Sequence, residues 1–373
     1  MDKKSVKKAK ENLWKWAVFF GRTFLGVFCC FLGVYVSLSL AKNGADIFYY
    51  AMVFASPGTA IELLQKPAPE TEVILPFLPE TEENPSPEKE NGTDVILSEI
   101  PEILRGIPEN RRGKVTETQY SASEGGIYVA FGSAIIKNCT SHSTEKIKSM
   151  LKTPHSLSLK SNSAPQVLIY HTHATESFEP SDRGFFDISG GWRSTDPDRN
   201  MLSVGDSLVA VLAEKGIGVI HDGTMHDDPS YSGSYERSAV TVKKHLLENP
   251  GITVCLDIHR DAIEPSATEI IKPTAVINGK KAAQIMIIAG CDNGKFNMPE
   301  YWENLRFAAA LADKIEELYP GLCRPVLFDY RKYNMDLSTG LLLIEIGATG
   351  NTLSEAQYSA ELLGNALAKL LLE

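Results

Sequence analysis

The chain has 373 residues, 43% of them hydrophobic and 23% charged, which is the mix of a folded globular protein and excludes global disorder. A formal net charge of −10 excludes the broadly basic face of a nucleic-acid binder. Cys29, Cys30, Cys139, Cys255, Cys291 and Cys323 include no C-x-x-C pair, so neither a disulfide scaffold nor a cysteine-rich zinc module fits.

The N-terminus runs against the overall charge. Its first 42 residues hold eight Lys and Arg against Asp2 and Glu11. They lead into FLGVFCCFLGVYVSLSLA, residues 24–41, eighteen positions without a charge. A helix needs about 20 apolar residues to cross a bilayer; residues 16–21 extend the run, with Arg22 snorkelling to the interface. The pattern predicts one membrane anchor over 23–41, with segment 1–22 in the cytoplasm and everything after Lys42 beyond the membrane. A cleaved signal peptide is the rival, but the run is long and lacks a convincing A-x-A site. Residues 47–64 are apolar and broken by Pro57-Gly58. Residues 67–90 then interleave six prolines with seven glutamates, an extended spacer unable to build a core. Residues 42–114 form this membrane-proximal and linker region. Residues 115–164 read as a small extension, with GGIYVAFGSAIIKN as a hairpin and a Ser-rich loop to Ser163.

From Pro165 strands and helices alternate, and 165–373 reads as the functional domain. VLIYH (167–171), GVIHD (218–222), ITVCLDIH (252–259) and LLLIEIG (341–347) are short apolar runs suited to buried strands. MLSVGDSLVAVLAEKG (201–216) sets Leu208, Val211 and Leu212 on one helical face and ends in glycine. SYERSAVTVKKHLLENPG and ENLRFAAALADKIEELYPG predict two further helices. PTAVI, Asn278-Gly279 and KKAAQIMIIAG predict a hairpin with a type I′ turn. Thr352-Leu353-Ser354-Glu355 is a capping box that opens the last helix. The fold class is therefore α/β, a mostly parallel or mixed sheet flanked by helices. In such sheets ligands bind beyond the carboxyl ends of the strands.

Those ends carry the polar residues. The first strand closes in His171-Thr172-His173, with Glu176 shortly after; the third closes in Asp257-Ile258-His259-Arg260-Asp261; the last carries Glu345 in an apolar run. Two histidines and a carboxylate at one sheet edge make a zinc site with a position open for water, and a further carboxylate can act as base. Each has a plainer reading. A single strand-end histidine is commonly just hydrogen-bonded, and Glu345 could pair with Arg260 or Arg331. His221, His226, Asp222, Asp227 and Asp228 are metal-like in composition, though such loops are usually solvated. No G-x-S-x-G, H-E-x-x-H or G-x-x-x-x-G-K-[ST] occurs.

The strings VLIYHTHATESF, HDDPSYSGSYERSAVTV, LDIHRDA, YNMDLSTG and LLLIEIGATGNTL, in this order from Pro165 onward, resemble the stage II sporulation protein P family of endospore formers. The resemblance implies a membrane-anchored peptidoglycan hydrolase with the fold of zinc-dependent N-acetylmuramoyl-L-alanine amidases. It implies amidase and endopeptidase activity during septal thinning and engulfment, with stage II sporulation proteins D and M as partners. Residue by residue, it implies His259 as a zinc histidine and Glu345 as the catalytic glutamate. It leaves the first histidine open between His171 and His173, and the carboxylate ligand between Glu176, which the HTHATES string favours, and Asp196 or Asp198. Arg260 is expected to hold an oxyanion or a stem-peptide carboxylate. The rival functions are a non-catalytic wall-binding scaffold and a metallo-endopeptidase confined to stem peptides.

Overall fold

The computed structural model describes residues 107–159 and 165–373 and the backbone of 72–74, all within one compact unit, Pro69–Glu373. The basic segment, the anchor and nearly all of the spacer lie outside the described residues.

A nine-stranded mixed sheet forms the middle layer. Its strands are β1 (Glu72–Ile74), β3 (Tyr128–Phe131), β4 (Ala134–Asn138), β5 (Val167–Tyr170), β7 (Val219–His221), β8 (Val254–Asp261), β11 (Ile285–Gly290), β12 (Val326–Asp329) and β13 (Leu341–Ala348), in the order β1-β7-β5-β8-β13-β11-β12-β4-β3. The run β7-β5-β8-β13 is parallel, and β11 enters antiparallel to β13. A second sheet takes the order β10-β9-β2-β6, from β2 (Arg112–Thr118), β6 (Phe185–Asp187), β9 (Glu269–Ile277) and β10 (Lys280–Ala283). The helices are α1 (Thr144–Met150), α2 (Met201–Glu214), α3 (Ser234–Glu248), α4 (Tyr301–Leu318) and α5 (Leu353–Leu372).

Strand alternation divides the core. Val167 and Ile169 of β5, Leu256 and Ile258 of β8 and Leu342 and Ile344 of β13 pack with Leu208 and Leu212 of α2 and with α4 and α5. Leu168, Tyr170, Cys255, Leu341 and Leu343 point to the other face, with Val242 of α3. Both faces are covered, which is why these strands read as continuous apolar runs.

Local signals act where the sequence placed them. Asn278 and Gly279 take positive φ (51° and 78°) in the predicted hairpin turn. The Thr352–Glu355 box caps α5 in both directions. Two features depart from expectation. The arm KKAAQIMIIAG is two strands, because it leaves the small sheet at Gln284 and enters the main one as β11. Within 115–164, β3 and β4 form the expected hairpin and join the main sheet through β12, but the Ser-rich stretch expected as a loop contains α1, capped by Ser143.

The small sheet is tied to α5 by Lys272, 1% exposed at its side chain, whose Nζ lies 2.7 Å from Glu355 and 2.9 Å from Asp182. Glu355 thus caps a helix and neutralises a buried cation. Breaking a buried pair leaves a desolvated charge, so Lys272→Met should cost roughly 3–5 kcal/mol, read by urea unfolding of residues 107–373.

Candidate active site

Pairing register builds the centre of the site. Parallel β8 and β13 align Asp257 with Leu343 and His259 with Glu345. Asp257, His259 and Glu345 share the parity of Cys255, Leu341 and Leu343, so all three project from the α3 face near the strands' carboxyl ends.

Beyond β5 the chain turns across these ends. His173 and His259 stand edge to face with ring centroids 5.2 Å apart, and Glu176 Oε2 lies 3.6 Å from His259 Nδ1. His259 Nε2 lies at ion-pair distance, 2.8 Å, from Asp257, and Asp257 accepts from the Thr172 amide (2.8 Å) and hydroxyl (2.6 Å). Asp257 therefore orients one side of the imidazole and leaves Nδ1 towards Glu176. Ser234 and Tyr235, at the start of α3, pack on the two rings.

The electrostatics follow from burial and these partners. Burial opposes charge on His259, but the Asp257 and Glu176 carboxylates outweigh it and hold its pKa well above the usual value. Burial, helped by the neighbouring His259, lowers His173 to about 4. Burial raises Glu345 to about 8, with His259 only partly offsetting it. Glu345 Oε2 is buried without a hydrogen-bond partner, and neither Arg260 nor Arg331 forms an ion pair with it among the described residues.

The structure thus brings His173, Glu176, His259 and Glu345 together. His171 goes elsewhere. It shares the parity of Val167 and Ile169, so its ring turns to the α2 side, where Nε2 lies 2.9 Å from His221 Nε2 and Nδ1 donates to the Ile258 carbonyl (2.9 Å). Asp196 and Asp198 sit exposed around a 3-10 turn, where Asp196 caps the Asp198 amide. Arg260 is 6% exposed, and its head is spent on the Ser177 and Trp192 carbonyls (2.6 and 2.8 Å) and Thr349 (2.9 Å). It staples loops; it does not line the site. Its amide donates to Glu176 Oε2 (3.2 Å), which fixes that carboxylate.

The His221–Asp228 loop is largely buried rather than solvated. Asp227 binds Thr175 (2.6 Å) and Arg193 (2.5 Å), His226 binds the His171 carbonyl (2.9 Å), and Asp222 pairs with His245 (2.7 Å). The sequence gives no site role to Asp257 or Arg193, and it marks Asp227 only as part of a metal-like loop. Strand parity marks Asp257, whereas Asp227 and Arg193 belong to loops that only the tertiary fold brings in.

The donor set suits a zinc ion in kind: two imidazoles, one carboxylate and a buried carboxylate oxygen with no hydrogen-bond partner. Among the described residues, no three such side chains are already arranged to hold a metal ion.

The chain is thus a mixed α/β domain that gathers imidazoles and carboxylates beyond the carboxyl ends of its parallel strands. The family description "Stage II sporulation protein P (SpoIIP)" matches residues 108–368, and the chain belongs to that family. It is 32% identical over 221 residues to the stage II sporulation protein P of Bacillus subtilis (strain 168), covering 55% of this chain and 50% of the relative. The chain therefore spans about half the length of that curated relative. Among solved structures it is similar to the N-acetylmuramoyl-L-alanine amidase AmiC2 of Nostoc punctiforme (14% identity, 56% of this chain and 95% of that one, TM-score 0.34). It is also similar to the N-acetylmuramoyl-L-alanine amidase of Clostridium difficile 630 (17%, 57% and 96%, 0.32) and to a metallo-carboxypeptidase of Burkholderia cenocepacia (10%, 56% and 57%, 0.31).

Two outcomes follow from this packing. A Cβ on Gly205 of α2 would lie 2.5 Å from His221 Nε2 and 2.8 Å from His171 Nε2, so Gly205→Ala should destabilise by about 1–3 kcal/mol in equilibrium unfolding. Burial alone would raise Asp222, but hydrogen bonds from His245 and Thr224 win and hold it well below the carboxylate range. A depressed carboxylate adds stability above its unfolded pKa and loses it as pH falls towards the folded value. The stability gap between wild type and Asp222→Asn should therefore be flat from neutral pH to about 5 and close below about 4, read by urea titrations across pH.

Proposed function

We propose that this chain is a zinc-assisted peptidoglycan hydrolase that cleaves the amide bond between N-acetylmuramic acid and L-alanine. It would act from the outer side of a membrane in which residues 23–41 anchor it, in septal thinning and engulfment during sporulation, with stage II sporulation proteins D and M as partners. The observation that carries the reading is Glu345: a half-buried carboxylate whose inner oxygen, Oε2, is buried without a hydrogen-bond partner, in register with the His259 that meets Glu176 and His173. Family membership supports it independently.

His173, Glu176 and His259 would hold the zinc, which when bound would acidify a water and polarise the scissile carbonyl. Glu345 takes the proton from that water as the hydroxyl adds to the carbonyl carbon. It returns the proton to the departing amine as the C–N bond breaks. A carboxylate oxygen with no hydrogen-bond partner in the fold is free to make both transfers. Asp257 keeps His259 in one orientation throughout, and the Arg260 amide does the same for Glu176. Anchoring, rather than charge, would supply local concentration, because an acidic protein is not drawn to an anionic wall.

The test is incubation of the full chain in detergent micelles with purified sacculi, followed by mass spectrometry of the released fragments. Whole stem peptides freed at L-alanine are expected. Glu345→Gln should reduce the rate by about 10²–10⁴-fold while zinc content stays at the wild-type level. His173→Ala should lose the zinc, whereas His171→Ala should retain it. Cut cross-links with intact muramoyl linkages would instead mark an endopeptidase. No release, even with the partner D protein added, would mark a wall-binding scaffold.

A further inference from the structure

Arg260 being committed to backbone carbonyls, a different guanidinium faces the site. Arg193 is held there by the fold. Its residue bridges antiparallel to Glu176, with the Ser177 amide on the Trp192 carbonyl (3.0 Å) and the Ser194 amide on the Thr175 carbonyl (2.7 Å). Its side chain is 42% exposed yet oriented at one end, because Nη1 is bound to Asp227 (2.5 Å) and Thr175 (3.1 Å). Nε and Nη2 make no hydrogen bond within the described residues. Nη2 lies 3.8 Å from Glu176 Oε1, too long for one. The guanidinium packs 4.8 Å from the Tyr231 ring centre, and Tyr231, 58% exposed, stacks at 4.3 Å and 11° on the buried ring of His173.

An arginine anchored through one nitrogen, backed by an aromatic face and left with an open edge beside a reactive centre has the form of a carboxylate clamp. Arginine forks match carboxylates, and the Asp227 pair fixes the fork before substrate arrives. The stem peptide places a carboxyl group one residue beyond L-alanine, on the glutamyl residue, where it is either free or amidated. We propose that Arg193, with Tyr231 as its backing wall, binds the free α-carboxylate of that glutamyl residue and makes the site selective for non-amidated stems. This deepens the reading above and rests on it for the substrate class.

Binding is tested on the full chain in micelles carrying Glu345→Gln, which slows turnover enough for titration. The probes are N-acetylmuramoyl-L-alanyl-γ-D-glutamyl-L-lysine with the glutamyl α-carboxyl free or as carboxamide, titrated by calorimetry. The free acid should bind about tenfold tighter or more, and adding Arg193→Ala should abolish the difference. Arg193→Lys, which keeps a cation against Asp227 but loses the fork, should retain only part of it and guards against a folding defect in the alanine variant. Equal affinity for the two probes, a preference that survives Arg193→Ala, or no binding of either would overturn the proposal. Hydrolysis of both probes by the chain with Glu345 intact is followed in parallel. An Arg193-dependent preference without hydrolysis would sink the amidase reading alone, and hydrolysis with equal affinities would sink the clamp alone.

Discussion

The parallel, in-register pairing of β8 with β13 is the constraint on which the rest of the structure depends. Two adjacent parallel strands carry side chains of equal parity to the same face, so the alignment of His259 with Glu345 makes an acid–base neighbour out of residues 86 positions apart. A slip of one residue would send Glu345 into the apolar layer under α2 and α5 and bring Ile344 or Ile346 to the site. The apolar neighbours Leu343, Ile344 and Ile346 thus hold register as well as filling the core. The energetic tension of a half-buried carboxylate beside a buried imidazole is tolerated because surrounding hydrophobic packing over-determines the pairing.

Around that pairing, two arginines divide the work according to burial. Arg260, inside, spends its donors on carbonyls of the loops that follow β5 and precede α2, so the segment bearing Glu176 is fastened to the sheet rather than left to solvent. Arg193, at the rim, is fastened at one end only. The same chemical group is a staple where each nitrogen meets a carbonyl or hydroxyl of the fold and a recognition element where some do not. Asp257 and Asp227 are the matching buried anions, one behind His259 and one behind Arg193.

A second histidine pair lies on the opposite face. His171 and His221 meet over Gly205, where the missing side chain lets α2 approach the sheet. Because His171 and His173 are two apart, alternation alone would place them on one face. They part because β5 ends at Tyr170, and the chain beyond it turns across the strand ends.

Most strands and helices from Val167 onward were legible in the sequence, since apolar runs, a capping box and an Asn-Gly turn act over a few residues and owe little to distant contacts. The likeness to a sporulation family was equally local, a matter of strings in order. Parity could also have set His171 with Val167 and Ile169 and so away from the site, had the burial of each face been known. What the sequence by itself determined is the inventory: elements, their ends, and the polar residues at those ends. Only the tertiary structure decided which of them meet. The splitting of one hairpin arm between two sheets, the union of 115–164 with the main sheet, the burial of Arg260 and the appearance of Arg193 beside Glu176 all rest on pairings between residues far apart in the chain. Such pairings are selected by collective packing and leave little trace in any local stretch of residues.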